Sequence, residues 1–135
     1  KKLIAEFYGK ETGTNGGLAG SQELSSPDIH FYSGTILSGA LSLSIGDAFS
    51  KIYKKQSSIS VAVIGDGGME EGIVYETFNL ASKMKLPTLF ICENNLYSTH
   101  THLRERVSNF KTHYKVKPFG LKTTYFNSNN PEKLY

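Results

Sequence analysis

The 135-residue chain has a single cysteine, no apolar run near the ~20 residues needed to cross a bilayer, no block of like charge and no internal repeat. One cysteine excludes an internal disulfide and fits a reducing compartment. Cys92 lies in the apolar run 89–92, so it reads as a buried small hydrophobe rather than a nucleophile. With no spanning segment, the chain is not expected to be a membrane protein by itself. Its formal charge is only +3 with the lysines dispersed, so composition gives nucleic-acid binding no support. The chain begins at Lys1 without a methionine and stops at Tyr135 just past a Pro-Glu-Lys turn, so both ends read as cuts in a longer protein. A lost targeting segment is compatible with such cuts. The expected compartment is cytoplasmic, with a mitochondrial matrix or a plastid left open.

What the chain does have is the make-up of an ordinary globular domain, 39% hydrophobic and 12% aromatic. Its length predicts one domain over residues 1–135, incomplete at both ends. Residues 9–35 hold Gly9, Gly13, Gly16, Gly17, Gly20 and Gly34 among many Ser and Thr, which is loop chemistry. Leu24, Ile29, Phe31 and Tyr32 are expected to anchor that loop. From Ile36 onward, Leu37, Leu41, Ile45, Phe49 and Tyr53 recur every four residues, predicting a helix of about four turns. Gly39, Ala40, Ser42 and Gly46 along it suggest close helix packing, with another subunit as one candidate; a glycine that is merely tolerated is the bland alternative.

Residues 60–64 are apolar on both faces, as in a central parallel strand covered by helices on each side. A helix is predicted over 69–84, with Glu70 and Glu71 in its first turn, Lys83 and Lys85 near its end, and Pro87 stopping it. A second strand should run over 88–97, joined to the first by a right-handed parallel crossover. Beyond it come a polar stretch rich in His and Arg, a short helix over 109–117 carrying Phe110, Tyr114 and Val116, and a strand over 121–126. The fold class is therefore α/β, a mostly parallel sheet flanked by helices in three layers.

Ligands of open parallel sheets gather at the carboxyl ends of the strands. Asp66 stands there in the run VAVIGDGG, and Asn95 stands at the end of the next strand in TLFICENNLY. Gly65, Gly67 and Gly68 would let the backbone approach a ligand with no Cβ in the way, and the amides opening the following helix favour an anion. A bare carboxylate amid those amides would repel a diphosphate, so a divalent cation between them is the economical explanation. Magnesium takes six oxygens and keeps few protein ligands. The Asp66 carboxylate, the Asn95 side-chain oxygen and a backbone carbonyl near Tyr97 would supply half of them. A Gly-Asp-Gly by itself is also an ordinary turn or helix cap.

The pair GDGGMEEG and ENN, at this separation, resembles the thiamine diphosphate binding motif. Around it, KLPTLFICENNLYSTHT, EEGIVYETFNLASKMK, GKETGTNGGLAGSQEL and TILSGALSLSIG resemble the alpha subunit of the first component of 2-oxo acid dehydrogenase complexes. The resemblance implies that Asp66, Asn95 and the Tyr97 carbonyl bind Mg2+ or Ca2+, that Gly67 and Gly68 meet the diphosphate through their amides, and that the backbone of Thr35 and Leu37 meets the aminopyrimidine. It further implies a thiamine diphosphate enzyme that decarboxylates a 2-oxo acid and passes the acyl group to lipoyl. The implied partners are a beta subunit in an α2β2 heterotetramer and a lipoyl acyltransferase. An amino-terminal Tyr-Arg pair and a later histidine of the family fall outside these residues, and the activating glutamate falls on the beta subunit, so no catalytic residue is assigned and this chain alone should be inactive. The sequence departs from the family at Thr35 and Ser38, where glycine is frequent, and at Glu23, where histidine is common.

Other readings remain. His100 and His102 form an H-x-H that, with His113, can be imagined around zinc, although such a pair on a polar loop is usually solvated. Arg104 and Arg106 can meet phosphates or an acidic substrate, or simply face water. Glu70 and Glu71 serve the helix start better than acid–base work. A transketolase-type enzyme shares the Asp-to-Asn arrangement, and a non-catalytic assembly subunit could keep the same fold.

Overall fold

In the computed structural model, which describes Lys1–Tyr135, the chain opens with α1 (Lys2–Phe7), whose one buried residue is Glu6. The loop after it folds over that carboxylate. The amides of Asn15, Gly17 and Ala19 donate to it at 2.7, 2.9 and 2.7 Å. Burial alone would push the Glu6 carboxyl up, but these amides overcome it and hold it below the ordinary carboxylate value. Gly13 must be glycine here, because a Cβ would lie 2.7 Å from the Glu6 Cα. The loop then forms a small ribbon, β1 (Ser25–Ser26) antiparallel to β2 (Phe31–Tyr32). Of the expected apolar anchors, Leu24 is half-buried but Ile29, Phe31 and Tyr32 are exposed, and a buried carboxylate orders the first part of the loop.

Helix α2 (Gly39–Tyr53) starts three residues later than the apolar periodicity suggests and buries Leu41, Ile45, Ala48 and Lys51. Leu37, Phe49 and Tyr53 are exposed, so the four-residue repeat drifts off the buried face, as a 3.6-residue period requires. A Cβ on Gly39 or Gly46 would meet nothing, so no close approach within the chain demands these glycines. Lys51 pairs with Asp47 and Ser60, tying α2 to the start of β3 (Ser60–Gly65).

After β3, a single 3-10 turn (Gly68–Glu70) leads to α3 (Gly72–Met84), which ends with Lys85 in the left-handed conformation and Pro87 beyond. The buried side of α3 is Val74, Thr77, Phe78 and Ala81, whereas Ile73, Leu80 and Met84 are partly exposed. Strand β4 (Thr88–Glu93) returns parallel to β3, Ser60 opposite Thr88 and Gly65 opposite Glu93. Leu41, Ala62, Ile64, Met69, Val74 and Phe78 form the core, closed at its edge by Phe90, Val116, Phe119 and Leu121. Phe78 packs edge-on against Phe90, with ring centroids 5.0 Å apart.

Only one face of β3 is covered. Ser60, Ala62 and Ile64 are buried against α2 and α3, whereas Val61 and Val63 are each 53% exposed, together with Leu89 and Ile91 of β4. Both helices share one apolar cluster and hence one side of the sheet. Cys92 is exposed rather than buried. The protein packed around its thiol, then the charges of Asp66 and Glu93, push its pKa up to about 11, which leaves it protonated at neutral pH.

The second strand ends at Glu93 instead of running on to Tyr97, which belongs to a separate hairpin, β5 (Tyr97–Ser98) with β6 (Thr101–His102), followed by the short helix α4 (Leu103–Arg106). Where a helix over 109–117 was expected there are two 3-10 turns, Thr112–Lys115 and Lys117–Phe119, the second fixed by Phe119 against Tyr75 and Phe78. Residues 121–126 form no strand, although Leu121 packs against the core, and α5 (Pro131–Leu134) ends the chain. The structure is α/β with two layers over these residues, and none of its helices is long and apolar enough to cross a membrane.

Candidate functional site

The parallel register brings the two motifs to one end of the sheet. The Asp66 amide donates to the Glu93 carbonyl at 3.2 Å, so the acidic turn begins beside the Asn94-Asn95 pair. The Asp66 side chain is almost fully buried, being 1% exposed, and its carboxylate is held by a cation already present in the chain. Arg106 Nη2 lies 2.5 Å from Asp66 Oδ2, Nη1 pairs with Glu70, and Nε donates to the Thr101 carbonyl at 3.2 Å. Glu70 thus spends its charge on Arg106 rather than on the α3 dipole, and Glu71 is the residue before the helix.

Two asparagines in a row make two successive turns. Asn94 Oδ1 accepts the Leu96 amide at 3.2 Å and Asn95 Oδ1 accepts the Tyr97 amide at 2.9 Å. Between them Leu96 is forced to φ +70°, a conformation that a leucine adopts at a cost. The Leu103 amide then donates to the Leu96 carbonyl at 2.7 Å. This fold-back turns Tyr97 into the hairpin, where its ring meets His102 edge-on at 4.9 Å. Asn95 and Tyr97 are exposed, and Asn95 Oδ1 keeps a second lone pair.

Two of the three glycines of the turn have a packing reason of their own. A Cβ on Gly65 would meet nothing, whereas one on Gly67 would lie 2.7 Å from the Ser98 Cβ, and one on Gly68 would lie 2.8 Å from Ile64 and 3.0 Å from Ser38 Oγ. Gly67 therefore seats the acidic turn against the hairpin, and Gly68 seats it against β3 and the start of α2. Both glycines are required by the chain's own packing.

Thr35 and Leu37 are exposed in the segment entering α2. The Glu23 carboxylate accepts the Thr35 amide at 2.7 Å, and Thr35, through its side chain and then its amide, holds the Glu23 carboxyl below its ordinary value. Ser38, buried and left-handed at φ +64°, donates its Oγ to the Gly68 carbonyl at 2.8 Å. Ser38 thus links the Thr35–Leu37 segment to the acidic turn. Neither Glu23–Thr35 nor Ser38–Gly68 was visible in the sequence as a pair, since partners 12 and 30 residues apart share no periodicity.

The zinc reading gains nothing from the geometry. His102 Nδ1 accepts the Arg104 amide at 3.0 Å, His113 stacks on Tyr114 and Tyr125, and no group of three His, Cys, Asp or Glu side chains converges. Arg104 faces solvent.

A buried carboxylate and an exposed amide oxygen, on adjacent loops at the carboxyl end of a parallel pair, are hard oxygen donors, and the carboxylate already sits against a positive charge. This donor set fits a hard divalent cation. The fold is α/β, with the Asp66 turn and the Asn94-Asn95 pair together at the strand ends. The chain belongs to the dehydrogenase E1 component family, whose model matches residues 1–135. It is similar to the pyruvate dehydrogenase E1 component subunit alpha of Rhizobium meliloti, 36% identical over 120 residues, and of Rickettsia bellii, 34% identical over 136 residues. The mitochondrial subunit alpha of Dictyostelium discoideum is 40% identical over 102 residues. These alignments cover 88%, 100% and 75% of this chain but only 34%, 42% and 26% of the relatives' own lengths.

Proposed function

We propose that this chain is the thiamine diphosphate- and magnesium-binding part of the alpha subunit of a 2-oxo acid dehydrogenase. The observation that carries the reading is the parallel β3–β4 pair, which sets Asp66 beside Asn94-Asn95 in a chain of this family. In this reading the Asp66 carboxylate, the Asn95 side-chain oxygen and the Tyr97 carbonyl hold Mg2+ or Ca2+. Gly67 and Gly68 present amides to the diphosphate, and the backbone of Thr35 and Leu37 faces the aminopyrimidine. Thiamine diphosphate, when bound, supplies the electron sink for decarboxylation of a 2-oxo acid. The chain's residues bind and orient it. Glu23 fixes the Thr35 backbone, and Ser38 fixes the acidic turn against the start of α2.

A beta subunit would complete the active site, in an α2β2 assembly that passes the acyl group to lipoyl on an acyltransferase. The bare apolar face of Val61, Val63, Leu89 and Ile91 supports a third layer covering the sheet in the complete protein. The reading predicts that thiamine diphosphate binding to the full-length chain with its partner requires Mg2+ or Ca2+ and is lost in Asp66→Ala and Asn95→Ala, measured by calorimetry. Binding unaffected by either change would refute the site. Turnover of 2-oxo acids with an artificial electron acceptor tests the reaction, and activity confined to ketose phosphates would favour a transketolase-type enzyme instead.

A further inference from the structure

Resting on that cation site, we propose that Arg106 is its resident cation, a guanidinium that a divalent ion must displace from Asp66 in order to bind. The geometry is specific. The Arg106 side chain is 10% exposed, pairs through Nη2 with Asp66 Oδ2 and through Nη1 with Glu70, and is aimed by the Thr101 carbonyl. Asp66 has no other side-chain cation.

Two considerations make this a competition rather than a shared seat. The Asp66 side chain is 1% exposed, so its carboxylate offers little open surface on which a second cation can sit. A guanidinium and a divalent ion on one water-excluded carboxylate also repel each other strongly. Glu70 makes the exchange feasible. Its side chain is 27% exposed and already holds Nη1, so Arg106 can leave Asp66 without being stranded as an unpaired buried charge.

The same contacts couple ion binding to the hairpin. Arg106 closes α4, its Nε is tied to β6 through Thr101, and Gly67 packs on Ser98 of β5, so the acidic turn and the hairpin are held together by the ion pairs of Arg106 with Asp66 and Glu70 and by one close contact. Without the divalent ion, Arg106 keeps Asp66 neutralised and the turn closed. With the ion bound, the guanidinium retreats to Glu70 and the hairpin loses its tie to Asp66.

The test uses the full-length chain with its partner subunit, Mg2+ as the titrated ion and thiamine diphosphate at fixed concentration. Arg106→Gln is expected to bind Mg2+ roughly tenfold tighter than the wild type, because the competitor is gone. The ion-free melting temperature should fall while its rise on adding Mg2+ becomes larger; a purely structural arginine would lower both states alike. Arg106→Lys, which keeps the charge but loses the forked contact, should fall between the two and serves if the Gln variant does not fold. Unchanged or weaker Mg2+ affinity in both variants would overturn the proposal. The control is Asp66→Ala: if it leaves Mg2+ binding intact, the cation site itself is wrong. If Asp66→Ala abolishes binding and the arginine variants do not tighten it, only the role of Arg106 fails.

Discussion

Ser38 shows how one residue can be strained and useful together. A non-glycine residue at φ +64° costs about 1–2 kcal/mol, and its hydroxyl recovers about 0.5–1.5 kcal/mol through the bond to the Gly68 carbonyl. Ser38→Ala keeps the Cβ and loses the bond, so it should destabilise the chain by about 1 kcal/mol. Ser38→Gly loses the bond but relieves the strain, so its stability should stay near that of the wild type. Denaturant unfolding of the two variants separates them, and equal losses would contradict this account. At Gly67 the argument is space rather than conformation: Gly67→Ala should cost about 1–3 kcal/mol by pushing the acidic turn off Ser98, and Ser98→Gly in the same chain should recover much of it. The sequence singled out Gly67 and Gly68 for the approach of a ligand, and the structure adds a packing reason at both, because a ligand and a neighbouring side chain can demand the same missing Cβ.

At the scale of elements, what periodicity and punctuation encode was legible. The β3–α3–β4 crossover, the stop at Pro87 and the meeting of Asp66 with the asparagine pair all follow from local pattern. The regions lacking such pattern were misread. The hairpin after Asn95 is set by Asn side chains bonding amides two residues on, and the turns over 112–119 by aromatic contacts to α3, neither of which leaves a periodic pattern. Cys92 lies on the same side of β4 as Phe90, opposite Ile64, yet is exposed, which its apolar neighbours in sequence did not reveal.

The loop clamped by Glu6 is also acid-sensitive. Its carboxyl is held below the ordinary value of 4.5, so its contribution is fully present above that pH and lost as pH falls through the lower, folded value. Asp47 behaves alike: burial pushes it up, but Lys51 and Ser60 outweigh that and hold it below 3.8. Hydrogen exchange of the Asn15, Gly17 and Ala19 amides should therefore stay slow at pH 6 and, after correction for intrinsic rates, lose protection only as pH falls below 4.5 toward the lower, folded value. Glu6→Gln keeps one acceptor oxygen and loses the charge, so part of that protection should be lost, and what remains should no longer depend on pH.

For the whole molecule, the chain corresponds to about a quarter to two fifths of the length of its relatives, and its architecture shows what such a part requires. One sheet face is packed and the other is apolar and bare. The candidate site likewise presents oxygen donors and a turn held by its own ion pair, with the residues that would act on a substrate expected elsewhere. Asp66 and Asn95 as joint ligands of a divalent cation are the central claim. It is tested most directly by anomalous diffraction from crystals of the full-length protein with its partner, grown with Mn2+ and thiamine diphosphate. The account predicts a manganese peak about 2 Å from both the Asp66 carboxylate and the Asn95 side-chain oxygen. A peak elsewhere, with Arg106 still seated on Asp66 in the loaded protein, would contradict it.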